Sequence, residues 1–137
     1  EKSYRLPGKE LSIEYSAFES GLNRFVSENK GNFMGRNGLA EWKAKGFSNS
    51  FTTLEIKNVQ DADPLGNNPI YYNGKLIGRA TSGGYGHRID KSIALAMINP
   101  ELNKIGQELE IDILGKNYPC EVIKESPYDP ENEKIKA

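Results

Sequence analysis

A mainly β fold, a small closed Greek-key barrel behind a short α/β N-terminal annex, is what this 137-residue sequence predicts. Three observations carry that expectation. From about Ser50 the apolar period changes from helical to two-fold. The run Tyr71-Tyr72-Asn73-Gly74-Lys75-Leu76 places Asn-Gly between strand-forming residues, a strong hairpin signal because both central positions of a type I′ turn need positive φ. Turn residues then recur at short intervals as far as Lys124. About five to seven short strands of this kind would expose awkward edges as an open sheet, and they close into a barrel or sandwich instead.

Before Ser50 the signals are helical or irregular. Ser16-Ala17-Phe18-Glu19 is a capping-box pattern and predicts a short helix from about Ala17 that Gly21 stops. Asn23 to Ser27, with Phe25 and Val26, reads as a short strand, and Lys30-Gly31-Asn32 as a turn. Arg36 to Lys45 is a better helix: Leu39 and Trp42 share a face, Glu41 and Lys45 can pair at i,i+4, and Gly46 suits the position past the end. Trp42 is the expected core anchor of that helix.

The β half then follows in order. Phe51 to Lys57 alternates as a strand, and a loop from Asn58 to Asn68 leads to the Asn73-Gly74 hairpin. Ser92 to Ile98 is apolar on both faces, which predicts a strand covered on both sides. Leu109, Ile111 and Ile113 alternate with Glu110 and Asp112, and Gly115-Lys116-Asn117 turns the chain into Tyr118 to Lys124. The tail from Tyr128 to Lys134 is too polar for the core and is expected to wrap the surface. Residues 1-49 and 50-137 are the expected domain division.

Composition excludes several functions. With 18 basic and 19 acidic residues, a net charge of −1 offers no footprint for nucleic acid or an anionic membrane. No apolar stretch approaches the ~20 residues needed to span a bilayer. One cysteine, Cys120, and one histidine, His87, provide neither a disulfide framework nor a Cys/His zinc set, and point to a reducing compartment, the cytoplasm. Cys120 reads as a buried small apolar residue, and His87 as a surface histidine with no orienting carboxylate beside it in sequence. The first residue is Glu1 rather than Met, so the chain reads as a processed or excised piece.

The glycine-rich Thr81-Ser82-Gly83-Gly84-Tyr85-Gly86-His87 matches neither Gly-x-x-x-x-Gly-Lys-Ser/Thr nor Gly-x-Gly-x-x-Gly, and reads as a wide turn needing positive φ at Gly83, Gly84 or Gly86. Taken alone, these residues give a β-barrel with a helical annex and no self-contained catalytic constellation.

Several strings taken together resemble the aminomethyltransferase fold of the glycine-cleavage T-protein family. They are Glu1-Lys2-Ser3-Tyr4-Arg5 with Gly8, Glu19-Ser20-Gly21-Leu22, Lys30-Gly31-Asn32-Phe33-Met34-Gly35-Arg36, Pro64-Leu65-Gly66, Gly78 to Gly86, Lys91 to Ala96, and Tyr128-Asp129-Pro130-Glu131-Asn132. Each is weak, but all stand in the family's order. The Asp-Pro-Glu-Asn ending and the Thr-Ser-Gly-Gly-Tyr run look most like the C-terminal ends of dimethylglycine and sarcosine dehydrogenases. Asn32 and Phe33 depart from the Lys-Gly-Cys-Tyr-x-Gly signature of a related iron-sulfur maintenance family.

The resemblance implies a T-protein-type C-terminal barrel and a tetrahydrofolate site in a larger parent polypeptide that moves a one-carbon unit from an amine to the folate. It matches the family's pterin-facing glutamate to Glu1, with Tyr4, Arg5 and Tyr85 as further folate-binding candidates. A carboxylate can accept two parallel hydrogen bonds from a planar amino-pyrimidine edge. No residue matches the family's catalytic aspartate, and Ser48-Asn49-Ser50 stands where the T-protein has a folate-holding arginine. Any FAD would belong to another domain of the parent. The alternative from a different class is a non-catalytic ligand-binding or scaffolding barrel of the same fold.

Overall fold

The computed structural model describes residues 1–136. Six strands form the barrel: β1 (Ser50–Ile56), β2 (Pro69–Tyr72), β3 (Lys75–Gly86), β4 (Lys91–Ile98), β5 (Glu108–Ile113) and β6 (Lys116–Ile123). Their spatial order is β1-β4-β3-β2-β5-β6, and β6 pairs back with β1 to close the sheet. Neighbours are antiparallel throughout. Strands β2, β3 and β4 follow one another through tight turns, while β1 reaches its place beside β4 by the long 57–68 connection, which is the Greek-key arrangement.

Alternation puts Leu54, Ile56, Ile70, Ile98, Ile111 and Val122 into the interior, all at most 5 % exposed. Ala80, Ala94 and Ala96 face them, and small residues opposite large ones are what a narrow barrel can accommodate. Cys120 lies in this core, as its strand pattern predicts, and burial followed by the nearby Glu110 charge pushes its thiol up to about 12. It is therefore a neutral packing group at ordinary pH.

The Asn73-Gly74 turn is left-handed at both residues, with φ of 49° and 72°. The β5–β6 turn falls one residue earlier than its expected place: Leu114 and Gly115 take φ of 54° and 79°, and Lys116 already pairs with Ile113. A two-residue loop whose twist suits the strands overrides the poor fit of leucine to positive φ. The glycine-rich run is not a wide turn. It is the second half of β3, and none of Gly83, Gly84 and Gly86 has positive φ. A Cβ on Gly83 would come within 2.2 Å of Pro64 in the 57–68 loop, so close approach rather than backbone twist excludes side chains there.

The annex lies on the outer face of β1, β4 and β3. This is why β4 is apolar on both sides: Ala94, Ala96 and Ile98 face inward, and Ile93 and Met97 are buried on the outside. Helix α1 (Arg36–Lys45) occupies the predicted residues between Gly35 and Gly46, but it buries no side chain. Trp42 is 36 % exposed and does not anchor the core, and the ion pair near the helix is Lys43 to Glu28 at 2.7 Å. Asn23–Phe25 is a 3₁₀ turn rather than a strand, closed by the Val26 amide on the Asn23 carbonyl. The capping box forms, with the Ser16 amide donating to Glu19 Oε2 at 3.0 Å and the Glu19 amide to Ser16 Oγ at 3.2 Å, but only turns follow it. The tail from Glu125 crosses back over residues 1–5 and ends in a short helix, α2 (Glu133–Lys136).

Candidate functional site

The four candidate residues are placed unequally. Glu1 and Tyr85 both border one groove on the outer face of β3 and β4, with a volume of about 290 Å³ and walls that include Ser82, Gly84, Ile93 and Leu95, although strand alternation turns the Tyr85 ring to the face opposite Gly84. Glu1 lines this groove, and its Oε1 accepts the Arg88 amide at 2.6 Å. The Glu1 side chain packs over Gly86, where a Cβ would sit 3.1 Å from Glu1 Cγ.

Gly84 forms a bare patch of the groove floor. It pairs with Ile93, shares that residue's outward direction, and a Cβ built on it meets nothing within 4 Å. A side chain there would project into the space a ligand would use.

Tyr85 is 46 % exposed, stands edge-on to His87 at 5.1 Å, and its hydroxyl donates to Asp90. The Asp90 hydrogen bond raises its phenol above the usual 10.0. His87 sits in the turn after β3 and lacks a buried carboxylate partner among the described residues, as expected of a surface histidine. Tyr4 is 66 % exposed.

Arg5 is committed within the chain. Its guanidinium lies 3.8 Å over the Phe51 ring, Nε donates to the Ser20 carbonyl at 2.9 Å, and Nη1 donates to the Ser3 carbonyl at 3.0 Å. The two terminal nitrogens also grip the Glu125 carboxylate, Nη2 to Oε2 at 3.0 Å. Gly21 makes room for this arrangement: its φ is 67°, and a Cβ would stand 2.6 Å from Arg5 Nη2.

Sequence reasoning missed the groups that seat Glu1. The Arg88 amide carries no sequence signature, since a backbone donor is set by turn geometry alone. Glu10, fully buried, receives the Thr81 hydroxyl on Oε1 and the Leu6 amide on Oε2 at 2.9 Å, joining the annex to β3. Thr81 is the extra residue of a bulge between Ala80 and Ser82, and the bulge turns its side chain outward. Nothing in the local sequence pairs positions 10 and 81.

Other concavities are larger but hold no such convergence. One of about 490 Å³ over β5 and β6 is rimmed by Glu108, Glu110 and Glu121, and another of about 790 Å³ borders Arg79, which is already paired with Glu14 and Tyr15. Among the described residues no group of three or more His, Cys, Asp or Glu side chains could hold a metal, and no helix is long and apolar enough to cross a membrane.

The fold and groove together define a class: small antiparallel Greek-key barrels with an N-terminal extension folded over the outer wall. Comparison with known proteins gives the family. Residues 50–129 match the glycine cleavage T-protein C-terminal barrel domain, and the chain belongs to that family. It is 41% identical to human mitochondrial dimethylglycine dehydrogenase over 126 residues, which cover 91% of this chain and 14% of that protein. It is 38% identical to an aminomethyltransferase from Synechocystis over 127 residues, 92% of this chain and 34% of that protein. The crystal structure of the glycine cleavage system aminomethyltransferase T from Bartonella henselae superposes with a TM-score of 0.80 at 23% identity, covering 93% of this chain and 37% of that one, a likeness of fold. The chain thus spans a seventh to about a third of the length of these relatives.

Proposed function

We propose that these residues are the folate-binding C-terminal portion of a tetrahydrofolate-dependent aminomethyltransferase or dimethylglycine/sarcosine dehydrogenase-like enzyme. The parent transfers a one-carbon unit from a methylated amine or aminomethyl donor to tetrahydrofolate. Residues 1–49 end its folate-binding subdomain and residues 50–137 form its barrel domain. The observation that carries this reading is the Glu1 carboxylate at the rim of a glycine-floored groove, fixed through Oε1 by the Arg88 amide.

Such a carboxylate fits the amino-pyrimidine edge of a pterin, and the uncluttered floor at Gly84 fits a flat ring. Tyr85 lines the same groove and Tyr4 is exposed on the same segment as Glu1; Arg5 holds that segment in place. The folate supplies the one-carbon acceptor, and the residues of this chain bind and orient it. Proton transfer and any flavin chemistry belong to the remainder of the parent. The free, buried Cys120 agrees with a reducing compartment, and we assign the cytoplasm.

The test uses the native polypeptide, because most of the length of the relatives lies outside these residues. Titration with tetrahydrofolate, followed by heat release, should show Glu1→Gln weakening binding by roughly tenfold or more, the loss expected when a charge-assisted bidentate contact becomes a neutral one. Wild-type affinity in that variant would refute the assignment.

A further inference from the structure

We propose that the C-terminal strap, residues 125–132, is a positioning element for the Glu1 carboxylate and acts through Lys2. The inference rests on the reading of Glu1 as a ligand contact. The strap runs antiparallel to residues 1–5 and meets almost every one of them. Glu125 takes Arg5; the Ser126 amide donates to Ser3 Oγ at 3.0 Å while Ser126 Oγ donates to the Lys2 carbonyl at 2.7 Å; and the Tyr128 amide donates to the Glu1 carbonyl at 3.3 Å.

Lys2 closes the clamp. Its ammonium donates to Asn132 Oδ1 at 2.6 Å and to the Asp129 carbonyl at 2.5 Å, and lies 3.9 Å from the Asp129 carboxylate. Both side chains of that ion pair are largely buried, at 19% and 8% exposure. On the other side, Ser3 Oγ meets Thr53 Oγ1 at 2.9 Å, so residues 1–3 are gripped between β1 and the strap.

Ser3, Ser126, Asp129 and Asn132 all hold left-handed conformations, with φ of 53°, 54°, 45° and 58°. Asp and Asn adopt this conformation readily, and the two serines hold it where each is hydrogen-bonded across the clamp through Ser3 Oγ and the Ser126 amide. A carboxylate that must meet two parallel donors tolerates only about 0.5 Å of misplacement. The Arg88 amide fixes one oxygen of Glu1, and the strap fixes the chain from which that side chain springs.

None of the strap residues belongs to the hydrophobic core. Binding and folding can therefore be separated. In the native polypeptide, Lys2→Met should raise the tetrahydrofolate dissociation constant about tenfold and Asn132→Ala about threefold, in keeping with loss of charge-assisted contacts at a distance from the ligand. The kcat at saturating folate should stay within about twofold of wild type. In a Glu1→Gln background the affinity penalty of both variants should vanish, while the lowering of Tm by Lys2→Met persists unchanged; a merely structural strap would weaken binding equally in both backgrounds. Asn132→Ala, which removes the part-buried Oδ1 contact and leaves Lys2 its Asp129 partners, keeps the question answerable if Lys2→Met fails to fold. Wild-type affinity in both strap variants, or an undiminished penalty in the Glu1→Gln background, overturns the inference and leaves Glu1 as a contact. Normal binding by Glu1→Gln alone overturns both.

Discussion

In residues 1–49 the buried side chains are Ser3, Glu10, Ser16, Glu19 and Ser20, every one of them polar. Between Ser50 and Ile123 the buried set is led by Leu54, Ile70, Met97, Ile98 and Ile111, with threonines and one serine as its polar members. The wall and the wrapping are thus held by different physics. Apolar burial is non-directional and scales with area, so the barrel tolerates small displacements of any one partner. The annex depends on directional contacts in which loss of one partner leaves the other buried and unsatisfied. The carboxylate proposed to hold the ligand belongs to the second kind of region.

The largest effect that can break this contrast comes from the wall. Leu54→Ala, at a fully buried position in the barrel, should cost about 2–5 kcal/mol in urea unfolding, through lost transfer energy and the cavity left behind. Alkylation of Cys120 gives a second readout. With its thiol held up at about 12 and inside the wall, it should react only when the barrel opens, and Leu54→Ala should accelerate that labelling. A loss below about 1 kcal/mol would mean that the wall is not governed by packing.

The same division decides what the sequence could reveal. The two-fold alternation, Asn73-Gly74 and the turn before β6 are local signals, and they yielded β1, β4, β5 and β6 to within about two residues and the closed barrel, but not the second half of β3. Trp42 misled because helical periodicity reports an apolar stripe without saying what covers it, and in these residues nothing buries α1. The glycines of β3 misled for a related reason. A glycine can serve backbone twist or close approach, and only the positions of Pro64 and Glu1 tell which. Glu1 emerged from a resemblance and not from spacing, while its supports, the Arg88 amide and the strap around Lys2, join residues 87 to 130 positions apart. Directional contacts across that distance have no periodicity to read.

The next test sits at the seam. Glu10→Ala strands the Leu6 amide and removes one partner of the Thr81 hydroxyl, which retains the Leu95 carbonyl at 3.0 Å. The expected cost is about 1–3 kcal/mol, for the loss of two hydrogen bonds to a fully buried side chain. Its signature should be local: faster proteolysis within residues 1–20 and faster amide exchange at Leu6, with Cys120 labelling unchanged under native conditions. Cys120 labelling that rises together with annex proteolysis would show that wrapping and wall unfold as one unit and would erase the contrast.

The smallest effect belongs to Glu55, whose charge sits on the barrel's outer surface. Burial tends to raise its pKa, but hydrogen bonds from Lys91 at 2.6 Å and Lys57 at 3.0 Å outweigh that and hold the carboxyl below the ordinary 4.5. A folded-state value below the unfolded one gives stabilisation that is present above the unfolded pKa and lost as pH falls through the folded one. Lys57, raised above 10.5 mainly by its hydrogen bond to Glu55, gives the mirror case: its contribution is present below that value and fades as pH rises through the folded pKa. Glu55→Gln should therefore flatten both limbs of the stability profile. At neutral pH it should cost less than about 1 kcal/mol, because Lys57 and Lys91 are 41% and 47% exposed and solvent screens the network. Set beside Glu10→Ala, the variant compares one residue type in two settings. If removing Glu55, paired with two lysines, costs as much as removing the enclosed Glu10, then charge rather than enclosure sets the strength of polar contacts on this barrel, and the annex owes its attachment to ion pairs such as Arg5–Glu125 more than to its buried hydrogen bonds.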